Sequence, residues 1–507
     1  MKKMTILFLV MMITLAAAFP SLAEEGAAVN QEAVTEQTDQ DVPEESGWKE
    51  KLAALDGVIS VKEIPLAASA QFFDEKYMVV FEQPLDWNDP EAGSFPQRVE
   101  VGLRKDGWIT ALETNGYSLR DKYPGGEEGL EGFGTDDAPE VVMLTGANYI
   151  NVEHRFFGES RPEGMSNTDT RYWEYHTAEN AANDYHRIYQ SLLPVMGDTW
   201  IATGSSRGGQ MTNVYAYYYP EDMIVYVPYV APCSTGWEDS RFYPFVYTEI
   251  GNDTYGPEEA GEMRALITAF QVDLLKNKEV LLPTYESMAA QQFGCVFLGQ
   301  ADIGQLYDVN VLEFATQFWQ YQMVDFDTLR DVLAMPETSQ EEQQAKMQAE
   351  FSLLLQLQTP MDWSANFFAW PYYVNAATTY GQYHYDFSYL RAALEEAGLE
   401  NTLSVTEETE ADLPWSLVFN EEQRAAFVYD GSFAEALIDS IDTTTAKILM
   451  LYGATDPWYS LRIKETDNPN VAVFVHPTAP HTASISTLPE EKRNEAIGFL
   501  SEAINAS

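Results

Sequence analysis

The chain has 507 residues, with 79 acidic against 29 basic side chains and a formal net charge of −50. A surface of that sign repels phosphate backbones and anionic headgroups, which argues against nucleic acid and membrane surfaces as partners. Two cysteines, Cys233 and Cys295, are too few for a disulfide scaffold and lack metal-ligand spacing; they are candidates for one bridge, and neither a metal nor a cofactor is expected.

The N-terminus reads Lys2-Lys3, an apolar run from Met4 to Ala18, then Ser21-Leu22-Ala23, the layout of a cleavable secretory signal over 1–23. The run is shorter than the roughly 20 residues a membrane span needs, so a secreted protein starting near Glu24 is expected, with no membrane contact after cleavage. Residues 24–47 are acidic, lack periodicity and read as a flexible spacer. From 48 to 235, strand-like runs (Tyr77 to Glu82, Val99 to Arg104, Trp108 to Leu112, Tyr149 to Glu153, Trp200 to Thr203) alternate with amphipathic helical stretches. That alternation predicts a mostly parallel sheet covered on both faces. Residues 236–414 turn to long helical runs, such as Glu258 to Lys276 and Ser339 to Gln358, and strands return at Lys447 to Tyr452 and Val471 to His476. The expected architecture is α/β: an α/β-hydrolase core over 48–235 and 415–507, interrupted by an inserted helical cap.

Within Trp200 to Gln210, the run Gly204-Ser205-Ser206-Arg207-Gly208 fits G-x-S-x-G with Ser206 at the centre, after an apolar strand and before a helix-compatible stretch. Such a turn exposes the serine hydroxyl, and the Arg207 N–H at the helix start can face an oxyanion. The serine needs a base and the base an orienting carboxylate. After Ser206 the chain has His384, His476 and His481; His481 lies in a loop after the last strand, where this fold presents its base. Asp456 lies in the turn leaving the preceding strand. A second oxyanion donor is expected from Glu113 to Tyr117, at the Gly116 or Tyr117 N–H.

The stretches Gln83 to Trp87, Gly93 to Arg98, Asn151 to Pro162, Thr203 to Gln210, Pro228 to Pro232, Glu238 to Phe242 and Tyr452 to Trp458 resemble the S37 family of secreted serine aminopeptidases of the streptomycete type. Glu153 to Ser160 is more distantly similar to the S28 prolyl carboxypeptidases and dipeptidyl peptidases. The S37 resemblance implies release of short N-terminal peptides, typically tripeptides and sometimes after proline, with Ser206, Asp456 and His481 at the matching triad positions. Two positions depart from that pattern: Arg207 stands where lysine is expected, and Asn115 where the family motif has glutamate.

An aminopeptidase must hold a protonated substrate amine, for which Glu113, Glu153, Glu238 and Asp239 are the candidates. The expected partner is therefore a peptide substrate. A carboxylesterase or lipase on the same scaffold, or a non-catalytic binding protein of hydrolase ancestry, are the alternatives.

Overall fold

In a computed structural model that describes residues 47–119, 130 and 134–506, eleven strands are defined. The expected signal 1–23 and spacer 24–47, its last residue excepted, lie outside those residues. The strands are β1 (Val58–Glu63), β2 (Glu75–Pro84), β3 (Ser94–Leu103), β4 (Thr110–Thr114), β5 (Asn148–Val152), β6 (Trp200–Ser205), β7 (Val225–Tyr229), β8 (Glu238–Asp239), β9 (Gln382–Tyr383), β10 (Ile448–Gly453) and β11 (Val471–His476). Nine form one sheet in the order β1-β2-β3-β5-β4-β6-β7-β10-β11. Pairings from β5 through β11 are parallel, whereas β1, β2 and β3 join as an antiparallel wing. This is an α/β-hydrolase fold with a large, mostly parallel sheet.

Side chains that alternate along the central strands explain why both faces are covered. Leu112, Ala202 and Met450 are buried on one face, against the helices Ala178–Met196, Arg207–Tyr218 and Ser432–Ile441. Their neighbours Ala111, Ile201 and Leu449 are buried on the other, with Ala496, Leu500 and Ala503 of the helix Glu490–Asn505. The helix Ala178–Met196 presents Ala181, Tyr185, Ile188, Leu192 and Met196 at helical spacing; Thr177 caps its start and Gly197 follows its end. β4 begins two residues later than the apolar run suggests, because Trp108 stands 60% exposed outside the sheet.

Between β7 and β10 the chain is largely helical, and Pro257–Lys276, Ile303–Tyr321 and Gln340–Leu357 build a second apolar core. The last two begin at capping boxes, Asp302 with Gln305 and Ser339 with Glu342. Two departures from expectation occur here. The short strands β8 and β9 pair in parallel within this region. Trp415, Leu417, Val418 and Phe419 also pack into the cap core, beyond the expected boundary at 414.

Candidate active site

The elbow is built by sterics. Ser206 sits between β6 and the helix Arg207–Tyr218 at φ 57°, ψ −123°, a conformation that residues with a side chain rarely adopt. Its N–H donates to Tyr229 O (2.9 Å), tying the turn to β7. The strand must turn straight into the helix, so its two glycines touch: a Cβ on Gly204 would overlap the Gly208 carbonyl. Gly116 lies against the same turn, where a Cβ would come 2.6 Å from Arg207 Cγ and 2.7 Å from Gly208 N.

Asp456 and His481 are brought to the same edge of the sheet, beyond β10 and β11. The two turns interlock: Ala454 N–H donates to His476 O (2.9 Å) and Thr455 N–H to Ala479 O (3.2 Å). His481 Nδ1 meets Asp456 Oδ2 at 2.6 Å, and Asp456 Oδ1 accepts the Trp458 N–H at 3.0 Å. Both side chains are buried, and His481 Nε2 has no hydrogen-bond partner among the described residues, Ser206 included. β7 alone separates β6 from β10, so the ends of the strands that lead to Ser206 and Asp456 lie about 10 Å apart on one edge of the sheet. The cap helix Ile303–Tyr321 steadies His481, whose N–H donates to Gln320 O (3.0 Å). His476 shapes the loop that carries His481: its Nδ1 accepts the Thr478 and Ala479 N–H groups, and its Nε2 faces Thr487 O. His384 pairs with Glu238 in the cap.

Ser206 opens onto a cavity of about 160 Å³ walled by Tyr117, Phe367, Tyr372, Tyr373, Tyr383 and Trp458, with Arg207, Gln210, Ser234 and Gln382 as polar positions. Among the described residues no carboxylate lines it, and the four amine-binding candidates are engaged elsewhere. Glu153 is fully buried and accepts from Arg98 Nε (2.9 Å) and Nη2 (2.6 Å), Ser160 Oγ (2.6 Å) and Leu119 N–H (2.7 Å). Asp239 is taken up by Thr235 and Arg241. Glu113 is bonded by the Tyr149 hydroxyl. Glu238 holds Trp415 Nε1 and His384. Each carboxylate finds partners in the fold, and for the buried Glu153 and Asp239 that is what burial of such a group demands.

Two further expectations need correction. Tyr117 N–H is used within its own turn, donating to Asn115 Oδ1 (2.8 Å), so it is not directed at an oxyanion. The Gly116 N–H has no acceptor among the described residues, and the Arg207 N–H, first in its helix, has no intrahelical acceptor. Cys233 and Cys295 are free: Cys233 is buried in the sheet core and Cys295 is half-buried in the cap beside Ser364.

The acid that adjoins the cavity wall is one sequence reasoning missed. Glu313, on the cap helix Ile303–Tyr321, accepts from the hydroxyls of Tyr243 (2.5 Å) and Tyr383 (3.0 Å). Burial pushes its carboxyl up to about 7, although the hydroxyls of Tyr243, Tyr383 and Tyr385 favour the ionised form. Between its ordinary 4.5 and about 7 the folded chain holds a proton that the unfolded chain releases, so stability falls as pH rises through this window. Neutral Gln at this site removes that contribution. Relative to wild type, Glu313→Gln is therefore expected to gain on the order of 3 kcal/mol between pH 4.5 and pH 8, measured by denaturant melts at both. Equal pH dependence of the two proteins would refute the assignment.

Arg207 is a buried cation, 2% exposed, without a carboxylate partner among the described residues. Nε donates to Gly116 O (2.6 Å) and Nη2 to Asn375 Oδ1 (2.5 Å), while Tyr117, Phe157, Tyr372 and Tyr380 surround it at 5.0–5.7 Å from their ring centres. His154 and His176 behind it are held neutral, by burial first and by the Arg207 charge second.

Fold and site together define a serine hydrolase of the α/β-hydrolase class, with a serine on a strained elbow beside a buried carboxylate–imidazole pair. Residues 42–502 match the model of the PS-10 peptidase S37 family, and the chain belongs to that family of serine peptidases. It is 27% identical over 278 residues to a prolyl tri/tetrapeptidyl aminopeptidase of Streptomyces mobaraensis, covering 54% of this chain and 51% of that protein. It is 33% identical over 144 residues to a prolyl carboxypeptidase-like protein of Caenorhabditis elegans, covering 26% and 27%. The matched regions thus span about half or less of the curated relatives. Among solved structures, proline iminopeptidase of Mycobacterium smegmatis aligns with 84% of this chain and all of its own at 11% identity, TM-score 0.36. A peroxisomal α/β-hydrolase of Saccharomyces cerevisiae aligns over 88% and 89% at 10% identity, TM-score 0.32.

Proposed function

We propose that the protein is a secreted serine aminopeptidase that releases short peptides, tripeptides foremost, from free N-termini through an acyl-enzyme on Ser206. In this reading His481 Nε2 takes the Ser206 proton as Oγ attacks the scissile carbonyl, and then returns it to the leaving amine. Asp456 holds Nδ1–H and stabilises the imidazolium. The Arg207 and Gly116 N–H groups receive the oxyanion. The observation that carries the reading is the pairing of His481 Nδ1 with Asp456 at 2.6 Å while Nε2 stays buried and unpartnered, on the same edge of the sheet as the Ser206 elbow. Family membership supports peptide as the substrate class, and the activity named for the Streptomyces relative supports the tripeptide.

The aromatic lining of the cavity, without a carboxylate among the described residues, favours a second reading, a carboxylesterase on the same site. The test is mass spectrometry of peptide sequences prepared with free and acetylated N-termini, incubated with wild type and Ser206→Ala, with acyl esters in parallel. The expected result is release of tripeptides from free termini alone, by wild type alone. Ester turnover without any peptide release would replace the aminopeptidase reading with the esterase.

A further inference from the structure

The chemistry above uses Arg207 only through its backbone, yet its side chain makes the tightest link between the nucleophile elbow and the loop Asn115–Tyr117. We propose that the Arg207 guanidinium is a positioning residue of the oxyanion site, fixing that loop from the Tyr117 side so that the Gly116 N–H and the Arg207 N–H face one oxygen beside Ser206. This rests on reading Ser206 as the nucleophile.

A peptide group is rigid, so holding its oxygen fixes its N–H. In the plane joining Gly116 to Tyr117, the oxygen is held by Arg207 Nε (2.6 Å) and the N–H by Asn115 Oδ1 (2.8 Å). In the plane joining Asn115 to Gly116, the oxygen is held by the Tyr185 hydroxyl (3.3 Å) and the Gly116 N–H has no acceptor among the described residues. Tyr185 thus holds the plane that carries the Gly116 N–H, and Arg207 holds the adjoining plane across Gly116 Cα; together they leave over, among the described residues, the one donor that lies against the elbow. Nη2 on Asn375 Oδ1 fixes the guanidinium from the far side, and four aromatic rings prevent it from swinging. The groups around it are neutral: His154, His176 and the tyrosines 117, 372 and 380 supply no carboxylate to draw it away. Lysine could keep the charge and reach one of the two acceptors, but not bridge both.

The test compares Arg207→Met and Arg207→Lys with wild type, on whichever peptide or ester wild type turns over. Three quantities are read: kcat, KM, and inhibition by a peptide aldehyde, whose hemiacetal oxygen occupies the oxyanion site, against inhibition by the product peptide. Removing the clamp is expected to lower kcat about 100-fold or more in the Met variant, the loss typical of one oxyanion donor, with KM within about threefold. Aldehyde inhibition should weaken by a similar factor and product inhibition stay unchanged, while Lys recovers about tenfold of the loss. A raised KM with unchanged kcat would overturn the proposal and make Arg207 a substrate-binding cation; so would equal weakening of aldehyde and product. If the Met variant does not fold, the Lys variant decides: wild-type kcat and aldehyde inhibition would refute the clamp. Retained turnover by Ser206→Ala would instead remove the underlying reading, which keeps the two failures distinct.

Discussion

Ser206→Ala is expected to lower kcat on the order of 10⁶-fold, toward any peptide or ester the wild type hydrolyses, with its thermal midpoint unchanged. In the proposed mechanism the loss follows from removing the atom that forms the acyl bond. Stability is spared because Ser206 is tied into the fold through its backbone: its N–H donates to Tyr229 O and its O accepts the Gln210 N–H, both at 2.9 Å. Alanine keeps both, and keeps the strain of φ 57° as well. Ser206→Gly separates the two properties further. Glycine reaches positive φ freely, so this variant should be equally inactive yet more stable by about 1 kcal/mol, read from denaturant melts. Activity of the alanine variant within tenfold of wild type would show that Ser206 is not the nucleophile.

How much of this is legible in the sequence depends on the range of the interactions concerned. β11 runs over Val471–His476 as its apolar alternation suggests, and the helix Pro257–Lys276 begins within a residue of expectation, because strand and helix periodicity are local. The elbow is also local: five consecutive residues hold the glycines and the serine. His481 is preferred over His476 because a loop position frees a side chain, and the structure shows His476 pinned by two backbone N–H groups.

What the sequence conceals depends on partners far along the chain. Glu153 reads as an available acid until Arg98, 55 residues earlier, is placed against it. Glu313 escapes notice for the opposite reason. Its helix is buried nearly all round, so no polar face marks the residue, and its partners Tyr243 and Tyr383 each lie 70 residues away. Tyr117 suggests itself as an oxyanion donor because Asn-Gly signals a turn; that the Asn115 side chain consumes the Tyr117 N–H is a matter of one rotamer. The acidic balance of the chain, by contrast, needs no geometry to interpret.

Asp456→Asn is expected to lower kcat about 10⁴-fold while leaving KM and the fold in place. The two oxygens of Asp456 have separate duties: Oδ1 accepts the Trp458 N–H at 3.0 Å, and Oδ2 meets His481 Nδ1 at 2.6 Å. An amide has only one acceptor, and the Trp458 N–H claims it, because the alternative places two donors face to face. The NH₂ is then directed at His481, so Nδ1 must become an acceptor and the imidazole proton moves to Nε2. In the proposed mechanism that is the nitrogen that accepts the proton of Ser206, and a protonated Nε2 in a neutral ring cannot do so. The substitution thus reverses the tautomer of the base without disturbing its position. Asp456→Ala should cost stability as well, about 1 kcal/mol, since it also removes the cap on the turn Pro457–Leu461. Turnover by Asp456→Asn within tenfold of wild type would mean that another group orients His481. The steep loss with an unmoved thermal midpoint would tie the Nδ1 contact to catalysis, because the asparagine keeps the cap and the bulk of the residue it replaces.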